Sequence, residues 1–226
     1  MKTLCCWGAM IFSCHLFAQG SSIITIKAGE DISSVYQQMY RFPQFIKGKV
    51  YFENGDSAGG RMNYNFVLAK MQFINAKNDT LELSEDTPIK QIVLERDSFA
   101  YASGNYLELL PGYHHLALRQ RLEVLDEQDI GAYGIPTSTH TVDKVNSLKD
   151  MQEHRLNLNR DLVLKKEKQY FFLTSDNHYL LLNKKNLEKA FPKKSSAIRD
   201  YLEYYHTDLS NEKEVKMLMD FISKRK

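Results

Sequence analysis

The feature that most restricts the fold of this chain is a series of short segments, between residues 48 and 125, in which polar and apolar side chains alternate. Alternation with period two places one face of a β-strand in the core and the other in water. Turn-forming pairs such as Asn54-Gly55 and Pro111-Gly112 separate the segments. The predicted strands are 49–52, 61–66, 70–73, 80–83, 89–94, 98–101, 106–110 and 116–125. Because they are short and closely connected, an antiparallel meander is the simplest topology.

A change of composition follows this region. Residues 131–152 combine glycine, proline and a Thr/Ser cluster, which predicts a flexible surface loop. Strand patterning resumes at 155–158, 162–164, 170–173 and 179–182. Ser175-Asp176-Asn177 predicts a hairpin turn between the last two of these strands.

After residue 183 the hydrophobic period changes to about 3.6, which predicts three short amphipathic helices. The candidate N-caps of the three helices are, in order, Asn183, Ser195 or Ser196, and Asn211. Pro192 is expected to stop the first helix, and Glu214 completes a sequence resembling a capping box with Asn211. The predicted apolar stripe of the third helix is Val215, Leu218, Met219 and Ile222.

These patterns predict an α+β fold. We expect a mostly antiparallel β-sheet, arranged as a meander, an open barrel or a sandwich, followed by about three short C-terminal helices. The predicted organisation is a signal peptide at 1–19, a β-rich region at 20–152 that ends in the flexible loop 131–152, and a hairpin with the C-terminal helices at 153–226. The last two regions are expected to form one compact unit.

The N-terminus predicts export. Met1-Lys2-Thr3 gives a positive start, residues 4–17 are mostly apolar, and Ala18-Gln19-Gly20 supplies small residues for cleavage near residue 18 or 19. A bilayer span needs roughly 20 apolar residues, so we expect no transmembrane anchor after cleavage. A lipoprotein signal with Cys14 as its modified residue is the poorer alternative, because bulky Phe12 precedes it.

The three cysteines of the chain, Cys5, Cys6 and Cys14, all lie before the predicted cleavage site. The mature domain would therefore contain no disulfide and no cysteine metal site, and packing alone must hold it together. About 207 residues would remain, with 29 basic against 28 acidic side chains. This near-neutral balance argues against nucleic-acid binding.

One motif suggests catalysis. Residues 55–60, Gly-Asp-Ser-Ala-Gly-Gly, match G-x-S-x-G and resemble the nucleophile elbow of the hormone-sensitive-lipase-like esterases. That resemblance implies Ser57 as a nucleophile on a strand-to-helix turn, with an upstream His-Gly-Gly loop and a downstream Asp and His. The chain has no His-Gly-Gly segment, and His15, the only earlier histidine, leaves with the signal peptide. A turn between two strands would account for the same small and turn-forming residues at 55–60.

Other polar groups give no coherent site. His114 and His115 are adjacent and would point to opposite faces of a strand. The remaining mature histidines are scattered at His140, His154, His178 and His206. The acidic residues Asp126, Glu127 and Asp129 have oxygens that Ca²⁺ uses, but they also suit a solvated turn. The sequence therefore singles out no catalytic, cofactor-binding or metal-binding residue, and we expect no cofactor.

Two basic groups suit either a solvated face or contact with anionic envelope lipid or polysaccharide. They are the 165–168 segment and the set Lys184, Lys185, Lys189, Lys193 and Lys194.

Five short sequence segments resemble a family of uncharacterised exported proteins of Bacteroidota. They lie at residues 48–55, 62–65, 71–74, 131–134 and 183–187. The resemblance covers most of the mature chain. It implies export to the periplasm or the medium, or association with the outer membrane, and it implies no activity and no functional residue.

The expected function is a non-enzymatic module of the cell envelope that binds an envelope component or a small ligand. The alternative is a serine hydrolase that uses Ser57 with a base from His114, His140 or a later histidine. A purely structural role in the envelope is the third hypothesis.

Overall fold

The computed structural model describes residues 23–27, 37–84, 88–125 and 162–224. In these ranges eleven strands form one sheet, and three α-helices follow it. The strands are β1 (Ile23–Ile26), β2 (Ile46–Phe52), β3 (Ser57–Asn65), β4 (Lys70–Ile74), β5 (Thr80–Glu82), β6 (Ile89–Leu94), β7 (Asp97–Ala102), β8 (Asn105–Leu110), β9 (Tyr113–Leu125), β10 (Leu162–Leu173) and β11 (Tyr179–Leu181). The helices are α1 (Lys184–Ala190), α2 (Ser195–Tyr204) and α3 (Glu212–Lys224). The predicted α+β class is confirmed.

The sheet is antiparallel and open. Its strand order is β1-β10-β9-β8-β7-β6-β2-β3-β4-β5, and β11 also pairs with β10. The expected meander is therefore present as two shorter meanders, one from β2 to β5 and one from β6 to β10. The two pieces join through β2 and β6, so β5 and β6 are separated by three strands although they are consecutive in the chain.

The prediction of separate strands at 162–164 and 170–173 is wrong, because β10 runs unbroken for 12 residues. Every residue from 163 to 172 pairs with β9. On one face, Arg121 Nε donates to Glu167 at 2.7 Å, and Arg119 donates to Gln169. Cross-strand polar pairs thus stabilise a segment that has no apolar alternation.

The long β9–β10 ribbon contributes one face to two hydrophobic cores. Its register pairs Leu122 with Lys166 and Leu118 with Tyr170, so the even-numbered side chains share that face. The first core includes Met62, Met71, Ile92, Leu94, Phe99, Leu122 and Leu164. The second includes Leu116, Leu118, Tyr170 and Phe172 of the ribbon with Leu187, Ile198, Val215 and Leu218 of the helices. The expected stripe of α3 is confirmed as buried.

The sheet curls so that the end of β3 reaches across to β9. The amide of Leu122 donates to the carbonyl of Phe66 at 2.8 Å, and the Tyr64 hydroxyl donates to the carbonyl of Gln120 at 3.1 Å. This contact places Phe66 beside the middle of the ribbon.

The expectation of one wet face along 61–66 is wrong for two residues. Asn63 and Asn65 are 1% and 0% exposed, because the chain at 37–44 covers that face. Asn63 accepts from the amide of Phe42 at 3.1 Å, and Asn65 accepts from the amide of Val67 at 2.9 Å. The buried amides are thus hydrogen-bonded, as buried polar groups must be.

Two of the three predicted helix caps are present. Asn183 accepts from the amide of Asn186 at 2.8 Å, and Asn211 accepts from the amide of Lys213 at 3.0 Å. Glu214 does not close a capping box with Asn211 but accepts from the amide of Asp208 at 2.7 Å. The predicted serine cap of α2 is wrong. The 3-10 turn Pro192–Lys194 leads directly into this helix, so Lys194 occupies the cap position with no side-chain bond.

Several predictions fall outside the described residues. They are the signal peptide at 1–19, the loop at 131–152, the strand at 155–158, the acidic cluster after β9, and His140 and His154. Among the helices that are described, none is both long and apolar enough to cross a bilayer.

Candidate functional site

A groove of about 1330 Å³ lies above the middle of the β9–β10 ribbon. One wall contains Tyr40, Arg41 and Phe66, the floor includes Gln120 and residues 165–168, and residues between 208 and 213, at the start of α3, form the opposite wall. The groove thus lies between the curled sheet and the helical layer.

The sequence of the ribbon explains why the groove is there. On the shared face, Gln120 interrupts the apolar row of β9, and Lys166 and Lys168 interrupt that of β10. Polar and charged side chains are costly to bury, so neither core extends across them. The two cores therefore stop on either side of the ribbon's centre, and the groove remains.

Lys166 is the most distinctive group in the groove. It is half-buried, and its ammonium lies 4.3 Å from the centroid of the Phe66 ring. Burial lowers the pKa of Lys166, repulsion from Lys168 and Arg41 lowers it further, and Glu108 opposes these effects. In the described part of the chain, Lys166 has no ion pair. A ligand that carries negative charge would supply one.

Arg41 is held rigidly at the sheet-side wall. Its guanidinium makes two bonds to Glu108, at 2.9 and 2.8 Å, and one to Asp97 at 3.1 Å. These contacts raise the pKa of Arg41, chiefly through the hydrogen bond to Glu108. Gln120 also donates to Glu108, at 3.4 Å. The charge of Arg41 is therefore largely compensated, and its role in the groove is to fix the wall.

The charges that line the groove leave an excess of cations. The lining residues that carry charge are Arg41, Lys165, Lys166, Lys168, Lys213, Glu167, Asp208 and Glu212. Glu167 is paired with Arg121 at 2.7 Å, and Glu212 with Lys216 at 2.6 Å. The side chains of Lys165 and Glu167 lie on the other face of β10, so within the described ranges the ammonium groups of Lys166, Lys168 and Lys213 stand against the carboxylate of Asp208. This arrangement favours an anionic ligand.

A buried hydroxyl lies close to the helical wall. Tyr170 is 1% exposed, and its hydroxyl has no hydrogen-bond partner among the described residues. Burial raises the pKa of Tyr170, and the nearby carboxylates of Glu212 and Asp208 raise it further. The hydroxyl therefore stays protonated and is an unused donor next to the groove.

The serine motif has a different setting from an esterase elbow. Ser57 is exposed at the first position of β3 and pairs with Tyr51 across the β2–β3 hairpin. A nucleophile elbow requires a strand-to-helix turn. No hydrogen bond joins Ser57 to any histidine of the described ranges, which contain His114, His115, His178 and His206. The same ranges contain no group of three or more His, Cys, Asp or Glu residues that could hold a metal ion.

The two predicted basic groups separate in the structure. The 165–168 segment lines the groove, whereas Lys184 pairs with Glu203 at 3.1 Å on the helical surface. Sequence reasoning missed Arg41 and Phe66, which reach the groove only because the sheet curls. The available signal was the polar interruption of both ribbon strands at positions that otherwise hold apolar side chains.

No family model, curated protein or solved structure matches this chain. The resemblance to exported Bacteroidota proteins therefore stays a prediction.

Proposed function

We propose that this protein is an exported, non-enzymatic binding module of the cell envelope, and that its groove binds an anionic ligand. The observation that carries the binding site is Lys166, a half-buried ammonium with no carboxylate partner in the described ranges. Lys168 and Lys213 add charge along the same groove. The N-terminal pattern of a positive start, an apolar stretch and small residues supports the proposed export.

Citrate, with three carboxylates, is a suitable probe of the groove. We expect it to shift the backbone amide NMR signals of residues 165–168 at low ionic strength, where surface screening is weakest. The double variant Lys166→Met/Lys168→Met should bind citrate at least about tenfold more weakly, because even one charge-assisted bond contributes about 1.5–3 kcal/mol.

The chain offers a matched control in β2. Lys47 and Lys49 are likewise two residues apart on a strand, and Lys49 lies 5.1 Å from the ring centroid of Tyr51. Neither lysine lines the groove. The variant Lys47→Met/Lys49→Met should keep wild-type affinity. An equal loss in both double variants, or no shift at 165–168, would contradict the proposed groove.

The non-enzymatic part of the proposal is tested separately. A serine-reactive fluorophosphonate should leave the protein unlabelled, because Ser57 lies on a hairpin strand with no hydrogen-bonded histidine in the described ranges. Labelling that disappears in Ser57→Ala would establish the hydrolase alternative instead.

A further inference from the structure

The groove has two ends of opposite charge. Its floor carries the ammonium groups of Lys166 and Lys168, and its helical wall carries the carboxylate of Asp208. None of these three groups forms an ion pair in the described part of the chain. A wholly anionic ligand would satisfy the two lysines, but its far end would meet repulsion from Asp208.

The sheet separates the two ends. Lys166 and Tyr170 lie four residues apart on the shared face of β10, so their positions are roughly 13 Å apart along the strand. Burial raises the pKa of Tyr170, and two carboxylates of the helical wall, Glu212 and Asp208, raise it further. The charges that act most strongly on the pKa of Lys166 belong instead to the floor and the sheet side. The acidic end therefore lies near Tyr170, and the cationic end lies near Lys166.

The carboxylate of Asp208 has one oxygen available to a ligand. Its Oδ1 accepts from the amide and the hydroxyl of Ser210, at 2.8 and 2.7 Å. Its Oδ2 accepts from no group among the described residues, and the residue is exposed. Lys213 lines the same wall but forms no ion pair with Asp208. A cationic group of a ligand could therefore donate to Oδ2.

We infer that the ligand of the groove is an elongated zwitterion, with acidic groups at the end that meets Lys166 and Lys168 and an ammonium group at the end that meets Asp208. A short acidic peptide with a free N-terminus has this chemistry. An extended chain spans about 3.3–3.6 Å per residue, so about four residues cover the distance between the two ends. This inference rests on the proposed function, because it names the ligand of the same groove.

The probe is the tetrapeptide Gly-Gly-Glu-Glu, compared with its N-acetylated form by calorimetric titration. At about pH 6.5 the free α-amine is charged, because its ordinary pKa is about 7.7–8.0. Acetylation removes this charge, so the acetylated peptide has the larger net negative charge. A groove that attracted anions alone would bind it at least as tightly as the free peptide. We expect the acetylated peptide to bind about threefold or more weakly instead.

Two variants assign this preference to one carboxylate. Asp208→Asn and Asp200→Asn each remove one negative charge from the helical layer, but Asp200 is exposed on α2 and does not line the groove. Asparagine keeps an oxygen that can accept from Ser210, so the turn before α3 should be retained. We expect Asp208→Asn to lose the preference for the free peptide and Asp200→Asn to keep it. An unchanged preference in Asp208→Asn, or its loss in both variants, would overturn the inference.

Citrate separates a failure of this inference from a failure of the groove. Citrate has no ammonium group, so Asp208→Asn should bind it at least as tightly as the wild type does. If citrate binds but the wild type does not prefer the free peptide, the zwitterion is wrong and the proposed groove stands. If neither citrate nor either peptide shifts the amide signals of residues 165–168, both are wrong.

Discussion

Lys166 is held where its charge is costly to the fold. Burial and the neighbouring cations Lys168 and Arg41 lower its pKa, and the carboxylate of Glu108 opposes them. The contact with the Phe66 ring offsets part of this cost, since a cation over an aromatic face gains about 0.5–2 kcal/mol. A binding role explains such a placement, because an anionic ligand would remove the remaining penalty.

The lowered pKa of Lys166 predicts how citrate binding depends on pH. Binding needs the ammonium, so affinity should be constant near neutral pH and fall as pH rises through the lowered pKa, below the ordinary lysine value of about 10.4. In the same window the unfolded chain binds more protons than the folded one, so the free energy of unfolding should rise with pH. Citrate keeps a constant charge above neutral pH, so it does not contribute.

Between neutral and alkaline pH, calorimetric titration measures the citrate affinity and urea unfolding measures the free energy of unfolding. Lys166→Met should remove both, and Lys49→Met, which also loses a lysine over an aromatic ring, should keep both. The assignment to Lys166 is wrong if Lys166→Met retains the alkaline fall in affinity.

At the scale of the element, the N-terminus of α3 has a side-chain cap and the N-terminus of α2 has none, so the two can be compared. Asn211 accepts from the amides of Lys213 and Glu214 at 3.0 and 3.4 Å, whereas the side chain of Ser195 makes no cap bond at the start of α2. Asn211→Ala should therefore lower the free energy of unfolding by about 1 kcal/mol. Ser195→Ala should change it by less than about 0.5 kcal/mol. Urea unfolding followed by circular dichroism measures both, and equal costs would refute the assigned caps.

How far the sequence predicts each element depends on how local its cause is. The stripe of α3 and the cap at Asn183 follow from neighbours three or four residues apart, and both are confirmed. The middle of β10 was missed because its stability comes from pairing with β9 across a long separation. The burial of Asn63 likewise depends on the segment that covers it.

The groove was predictable only in part for the same reason. Its basic floor at 165–168 is visible in the sequence as a charged segment. Its sheet-side wall requires Arg41 and Phe66, which lie about a hundred residues or more away from that floor in the chain. Only the curl of the sheet brings these parts together.

At the scale of the whole molecule, the β9–β10 ribbon joins the two cores. Leu122 and Leu164 belong to the first core, and Leu118 and Phe172 of the same two strands belong to the second. Unfolding of either core would expose the backbone N–H and C=O groups of its half of the ribbon, and the same two strands continue unbroken into the other core. The two cores are therefore expected to unfold together, as the prediction of one compact unit requires.

Two truncations test this coupling. Leu164 and Leu218 are both 0% exposed, one in each core. Each Leu→Ala change should lower the free energy of unfolding by about 2–5 kcal/mol. Urea curves from the helical far-ultraviolet signal and from the tyrosine near-ultraviolet signal should coincide in both variants. Met217→Ala, beside Leu218 but 50% exposed, should have little effect. If Leu218→Ala unfolds the helices before the sheet, the ribbon does not couple the cores, and the groove lies between two independently stable parts.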